Sequence, residues 1–397
     1  MQDAAATAQR RGALKRLIAL AGAALLAGCS TIVPRTGPEA PPPPTKAPPS
    51  TAPATGTLPE DVERHRVALL VPLSGTNAAV GRSLANATQL ALLDTQNERI
   101  RITSYDTATG AAAAATRAIA EGNQLILGPL LSEDVRAVAP IAKRSSVPVL
   151  SFSNDVSVAG NGAYVLGYTP VQSIDRVVDY ARKSGITNFA GLIPRGLYGE
   201  RASTAFLRAV EAAGGKVVTM QTYDRSAGSI AAAVAKMPKT SPFQAVLIAD
   251  SSGTAAMAVP VLRRNGATTA RVLGTELWNT DTAIGSQPAL NGAWFASVSD
   301  NLYRQYATKY RARFGAAPYR LSSLGYDAVL LTVRIARDWR VGQRFPEAAL
   351  SDRGGFAGLD GAFRFGRDGV AERSLEVQEV RNGGAVTVSP APGGFAQ

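Results

Sequence analysis

Arg66-Val-Ala-Leu-Leu-Val-Pro-Leu-Ser-Gly75 is the stretch whose reading decides the fold. Val67 to Pro72 is an unbroken apolar run, closed by Ser74-Gly75. A strand apolar at every position, rather than at alternate ones, belongs to a sheet covered on both faces. Directly after it, Gly81 to Gln96 carries the periodicity of a helix. Working outward, Ile100 to Tyr105 reads as a strand and Gly110 to Glu121 as an alanine-rich helix. Gln124 to Leu127 is a strand ending at Gly128-Pro129. Ser132 to Arg144 is a helix whose first turn holds Glu133 and Asp134, as a positive helix N-terminus favours. Val147 to Phe152 and Tyr164 to Tyr168 are further strands. This alternation predicts a parallel sheet between helices.

The pattern then restarts. Helices are expected over 174–183, 200–213, 228–236 and 253–264, and strands over 189–193, 216–223, 245–249 and 271–274. Two successive units of this kind predict an α/β chain of two doubly wound, Rossmann-like lobes. No repeat of fixed period runs through the chain.

The N-terminal segment has a different character. Arg10, Arg11, Lys15 and Arg16 form a basic head, Leu17 to Gly28 is apolar, and Leu25-Leu-Ala-Gly-Cys-Ser30 ends it with the only cysteine of 397 residues. Twelve apolar residues are too few to span a bilayer, which takes about 20; the layout is that of a secretory signal. Leu26-Ala27-Gly28-Cys29 resembles the lipobox of bacterial lipoproteins. That resemblance implies a signal peptide over 1–28, general secretion, and acylation of Cys29 with palmitate-type chains; two or more chains give a stable anchor. Ser30, in place of an aspartate, points to the outer membrane of a Gram-negative bacterium, with the body facing the periplasm. A linker over 29–64 follows. Residues 31–60 hold ten prolines, which bar helix and central strand and predict a semi-stiff spacer reaching on the order of 90 Å.

Composition excludes several classes. The formal charge is +12, but no dense Lys/Arg block appears and an exported chain does not meet DNA, so no nucleic-acid partner is expected. With Cys29 acylated, no thiol is left for a disulfide or a thiolate metal site. His65 is the only histidine, so a Ser-His-Asp triad has no base. No HExxH, Cys/His cluster or P-loop occurs. The chain reads as a non-enzyme without cofactor or metal.

Leu70-Val-Pro-Leu-Ser-Gly75, Leu127-Gly-Pro129, Val147-Pro-Val-Leu150, Arg313-Phe-Gly315 with Pro318, and Gly325-Tyr-Asp-Ala328 together resemble the type I periplasmic-binding-protein fold, as in branched-chain amino-acid (Leu/Ile/Val) binding proteins, over roughly Arg66 to Val388. A narrower resemblance is to the penicillin-binding-protein activator lipoproteins of the LppC type. It rests on Ala68 to Gly75, Tyr105-Asp106-Thr107, Gly128-Pro-Leu-Leu131, Gly358-Leu-Asp-Gly361, Gly369, Arg373-Ser-Leu375 and Gly383. The fold so implied has a hinge of three crossovers and a cleft between lobes. Lobe 1 is expected over 65–169 and 299–345, lobe 2 over 170–298 and 346–390.

Open α/β sheets bind ligands beyond the carboxyl ends of their strands. Those ends carry Ser74, Gly75, Leu130, Leu131, Ser151, Ser153, Asn154, Tyr198 and Glu276, the candidate cleft residues. In amino-acid binders hydroxyl groups hold the α-carboxylate where this chain has Leu130 and Leu131. Glu276 is placed to pair with an amine and Tyr198 to stack. Asp327 is expected inside a helix over 323–340 in a structural or capping role. Two functions stand open. One is binding and activating a peptidoglycan synthase, a bifunctional penicillin-binding protein. The other is delivering an amino acid or other small ligand to an ABC transporter.

Overall fold

The computed structural model describes residues 63–395, except 241 and 282. The signal segment, Cys29 and the linker to residue 62 lie outside the described residues. The first lobe is built on β1 (His65–Val71), β2 (Ile100–Asp106), β3 (Leu125–Leu127), β4 (Val149–Ser151) and β5 (Ala163–Val165). All pair in parallel, in the order β2-β1-β3-β4-β5. Every side chain of Val67 to Val71 is buried, because α1 (Ala78–Thr95) covers one face of the sheet while α2 (Ala111–Ala120) and α3 (Ser132–Arg144) cover the other.

The second lobe repeats the scheme. Its strands are β6 (Asn188–Pro194), β7 (Lys216–Tyr223), β8 (Ala245–Ile248), β9 (Arg271–Gly274) and β10 (Trp294–Ser297). They run parallel in the order β7-β6-β8-β9-β10, extended by antiparallel β14 (Glu376–Arg381) and β15 (Gly384–Ser389). Helices α4 (Pro170–Lys183) and α5 (Leu197–Ala212) cover one face; α6 (Ala227–Ala235) and α7 (Ser252–Arg264) cover the other.

The two lobes share a local device. A Cβ on Gly81 of α1 would sit 1.8 Å from the Pro72 carbonyl oxygen, and one on Gly199 of α5 would sit 1.7 Å from that of Pro194. In each lobe, therefore, the helix after the leading strand packs so closely on the strand end that only glycine fits.

The chain crosses between lobes after β5, after β10 and before β14. The second crossing leads into α8 (Asn301–Phe314) and α9 (Ser323–Ile335), which pack on the first lobe. The expected helix over 323–340 ends at Ile335. Past it the Trp339 ring stacks on His65 at 3.9 Å, and its indole N–H donates to the Gln343 carbonyl. The lobe boundary expected at 346 is also corrected. A small antiparallel sheet of β11 (Phe356–Gly358), β12 (Gly361–Phe365) and β13 (Ala371–Arg373) intervenes. Phe345, Leu350, Phe356, Phe363 and Phe365 bury themselves in the core of the first lobe. Only from β14 does the chain rejoin the second.

Candidate functional site

The strand ends point toward the space between the lobes, and the sequence-predicted residues fall into separate groups there. Ser74 and Gly75 are exposed at the end of β1. Ser74 Oγ donates to Asp106 Oδ2 (2.6 Å), and the Leu73 amide donates to Asp106 Oδ1 (2.8 Å). Leu130 packs half-buried against the first-lobe core, and Leu131 is the N-cap of α3 without a capping side chain. Ser151 is buried, donates to the Pro129 carbonyl and accepts from the Ser153 amide; Ser153 Oγ in turn accepts from the Asp155 amide. Asn154 is exposed.

In the second lobe Tyr198 and Glu276 come together. The Tyr198 hydroxyl donates to Glu276 Oε1 at 2.9 Å and lies 3.0 Å from Thr275 Oγ1, while Ser173 of α4 donates to Glu276 Oε2. Burial raises the Glu276 carboxyl above its ordinary range, against the pull of the Ser173 and Tyr198 hydroxyls. Burial and the neighbouring Glu276 charge push Tyr198 well up. Glu276 thus already uses both oxygens within the protein.

Two charged clusters, absent from the strand-end reading, tie the lobes together. Asp155, in the loop after β4, receives Arg136 of α3 on Oδ2 (2.6 Å) and Arg201 of α5 on Oδ1 (2.5 Å). The Ser157 amide and hydroxyl also donate to it. Burial alone would raise Asp155; Ser157 and Arg201 outweigh it and hold the carboxyl at about 2. Because Arg201 belongs to the second lobe and Asp155 to the first, this pair is a latch across the cleft. Beside it, a trough of about 680 Å³ lies between α4 and α5, with Asn154 and Leu197 on its wall.

The second cluster fills the hinge. Arg320, 7% exposed, donates through Nη1 to Asp360 Oδ1 (2.8 Å) and Ser323 Oγ (3.0 Å), and its guanidinium lies 4.1 Å over the Tyr303 ring. With its amide oxygen turned toward the guanidinium, Asn279 of the second lobe accepts from Nη2 and Nε, each at 3.1 Å. Tyr168, on the first crossover, donates to Asp360. Arg373, at the end of β13, donates to the Leu166 carbonyl and stands 3.7 Å from Asp327. Asp327 accepts the Leu359 amide at 2.6 Å, and a Cβ on Gly358 would lie 2.5 Å from its carboxyl carbon. The Gly358-Leu-Asp-Gly361 motif is therefore a hairpin tip. It seats on Asp327 and delivers Asp360 to Arg320. Burial, with the adjacent Asp360 charge, pushes Asp327 up to about 7. For Asp360, burial is outweighed by Arg320 and Arg373, and the carboxyl is lowered.

Between the hinge cluster and Glu276 the residual cavity is about 20 Å³, lined by Tyr168, Ser173, Glu276, Arg320 and Arg373 among others. That is room for about one water molecule. Sequence reasoning missed Arg201, Arg320 and Asp155 because they lie on a helix, a turn and a loop, not at strand termini. The available signal for Arg320 was an arginine between Tyr319 and an apolar helix.

Residues 65–385 match the family model described as periplasmic binding protein. An uncharacterized protein of Rickettsia prowazekii is 26% identical over 139 residues, which are 34% of this chain and 37% of that protein. The match thus spans little more than a third of that curated relative. Among solved structures, a putative branched-chain amino acid ABC transporter protein from Rhodospirillum rubrum superposes with a TM-score of 0.72 at 22% identity. It covers 82% of this chain and 100% of that one. The C-domain of LpoA from Haemophilus influenzae, described as a regulator of PBP1A, gives a TM-score of 0.63 at 20% identity, over 81% of this chain and 99% of that one. At these identities the likeness is one of fold.

Proposed function

The chain belongs to the periplasmic binding protein family, and from that premise we propose that it is a periplasmic lipoprotein that binds and activates a peptidoglycan synthase. In this reading Cys29 carries the lipid, the outer membrane holds the anchor, and the proline-rich segment lets the body reach a bifunctional penicillin-binding protein. The body acts by contact and not by catalysis.

One observation carries the reading. The groups that would receive an amino acid are committed within the protein. Glu276 is held by Ser173 and Tyr198, Ser151 and Ser153 serve the backbone, and Leu130-Leu131 offer no hydroxyl. The cavity beside Glu276 is about 20 Å³, whereas small-molecule sites run to roughly 300–1,000 Å³. The likeness to the C-domain of a PBP1A regulator supports the same partner class. The test is to add the full-length chain to a purified bifunctional synthase polymerising its lipid-linked precursor. A several-fold faster rate is expected; an unchanged rate with every such synthase of the same cell overturns the proposal.

A second reading, solute delivery to an ABC transporter, is supported by the Tyr198–Glu276 pair facing the cleft and by the branched-chain neighbour. It predicts a rise in melting temperature with an amino acid or other small ligand, since a ligand bound only by the folded state stabilises it.

A further inference from the structure

A second polar depression adjoins the hinge cluster and shares Asn279, Thr280 and Arg320 with the small cavity beside Glu276. It is a groove of about 840 Å³ between residues 317–321 and the start of α8 on the first lobe and the β14–β15 face of the second. Its floor departs from what a fold needs. Gln378 pairs in register with Phe295 and Glu376 with Ser297, on a sheet face that elsewhere buries Phe295 and Val380. Yet Glu376 and Gln378 are each only 6% exposed. Placing a carboxylate and an amide there costs desolvation that an apolar pair would avoid. They are held in fixed orientation: Glu376 Oε1 accepts from Gln378 Nε2 (2.7 Å) and Thr387 Oγ1 (3.2 Å).

The opposite wall is different, with solvent-exposed polar side chains at its rim. Arg304 donates to Asn301 Oδ1 at 3.0 Å. Asp300 Oδ1 is closed to solvent and makes no hydrogen bond, although Arg320 stands 3.2 Å away. At the mouth Tyr319 is 48% exposed. The groove therefore presents a buried, mutually held carboxylate–amide pair on its floor, an exposed guanidinium and amide on its rim, and a partly exposed tyrosine at its mouth.

We propose that this groove is a binding site for a neutral or amine-bearing oligosaccharide. A sugar hydroxyl both donates and accepts, so it is matched by interleaved carboxylate, amide and guanidinium groups, and the C–H face of a pyranose lies on an aromatic ring. The charge balance selects the class. Among the described residues lining the groove, Asp281, Asp300 and Glu376 outnumber Arg304 and Arg320, and Arg320 is shared between Asp300 (3.2 Å) and the buried Asp360 (2.8 Å). An anionic ligand is disfavoured there. The volume lies within the usual range of ligand sites.

The site stands independently of the synthase reading, and its test needs no synthase. The full-length chain is titrated by calorimetry with N-acetylhexosamine oligosaccharides, and in parallel with a hexuronate oligosaccharide. Saturable binding of the neutral sugar is expected, at least tenfold tighter than the anionic one. Tyr319→Ala and Asn301→Ala change side chains at the mouth and on the rim. Each is expected to weaken binding tenfold or more while the melting temperature holds. No saturable binding, equal binding of the anionic sugar, or binding untouched by both substitutions overturns the proposal.

Discussion

Asp327 shows how much one buried carboxyl can organise. It sits in α9, accepts the Leu359 amide, faces Arg373, and leaves no room for a side chain at Gly358. Gly358→Ala would force a methyl group into the carboxyl, and overpacking of this kind costs roughly 1–3 kcal/mol. Denaturant unfolding of that variant should show the loss; stability within experimental error of the parent would refute the seating of the hairpin tip. The pH dependence has a definite sign. Burial raises the folded-state pKa of Asp327 to about 7, above the unfolded value near 4. Between those values the folded state binds the extra proton, so this contribution is full below pH 4 and is lost as pH rises through 7. Asp327→Asn should flatten stability across that window, and an unchanged slope would contradict the assignment. Arg320 is the other residue of consequence. Arg320→Met strands Asp360 in the interior, and breaking a buried pair in this way costs about 3–5 kcal/mol.

At the scale of elements, the strands and helices of both lobes were legible because their apolar runs are continuous and their helical periods long. Lys216–Tyr223, Arg271–Gly274 and Ser132–Arg144 fall where the pattern put them. The β11–β13 sheet was not legible. Its strands are three to five residues long, and apolar positions such as Phe356 and Phe363 do not say which lobe they will face. That choice is made by α9 and the first-lobe core, far away in sequence. For the same reason Tyr198 and Glu276 could be reached from the strand-end rule, whereas the Tyr168–Asp360 and Arg201–Asp155 pairs could not: nothing in local periodicity encodes a contact between segments far apart in the chain. The paired glycines make a test of the shared architecture. Gly81→Ala and Gly199→Ala should each lower the melting temperature, because neither α1 nor α5 can stay on its strand end with a Cβ there. An alanine tolerated at either site would show that the helix has room to shift.

At the scale of the whole molecule, closure is held by charge. Arg201 of the second lobe grips Asp155 of the first, which Arg136 also holds. Asp155 stays ionised down to about pH 2. Its folded-state pKa lies below the unfolded value, so its contribution is present above about pH 4 and is lost as pH falls toward 2. Arg201→Ala removes the cross-cleft contact and leaves the first-lobe pair. Small-angle scattering should then report a larger radius of gyration at neutral pH, while the radius of the parent stays constant until strong acid. An unchanged radius would mean that the hinge cluster alone sets the angle between lobes.

The central claim is that this body works by gripping a synthase. The direct measurement is a binding titration of the full-length chain against each purified bifunctional penicillin-binding protein of the same cell. A saturable one-to-one complex with one of them, undiminished by free amino acids, is the predicted result. Absence of binding to all of them, together with an amino acid or other small ligand that binds and raises the melting temperature, would contradict the claim and return the molecule to solute capture.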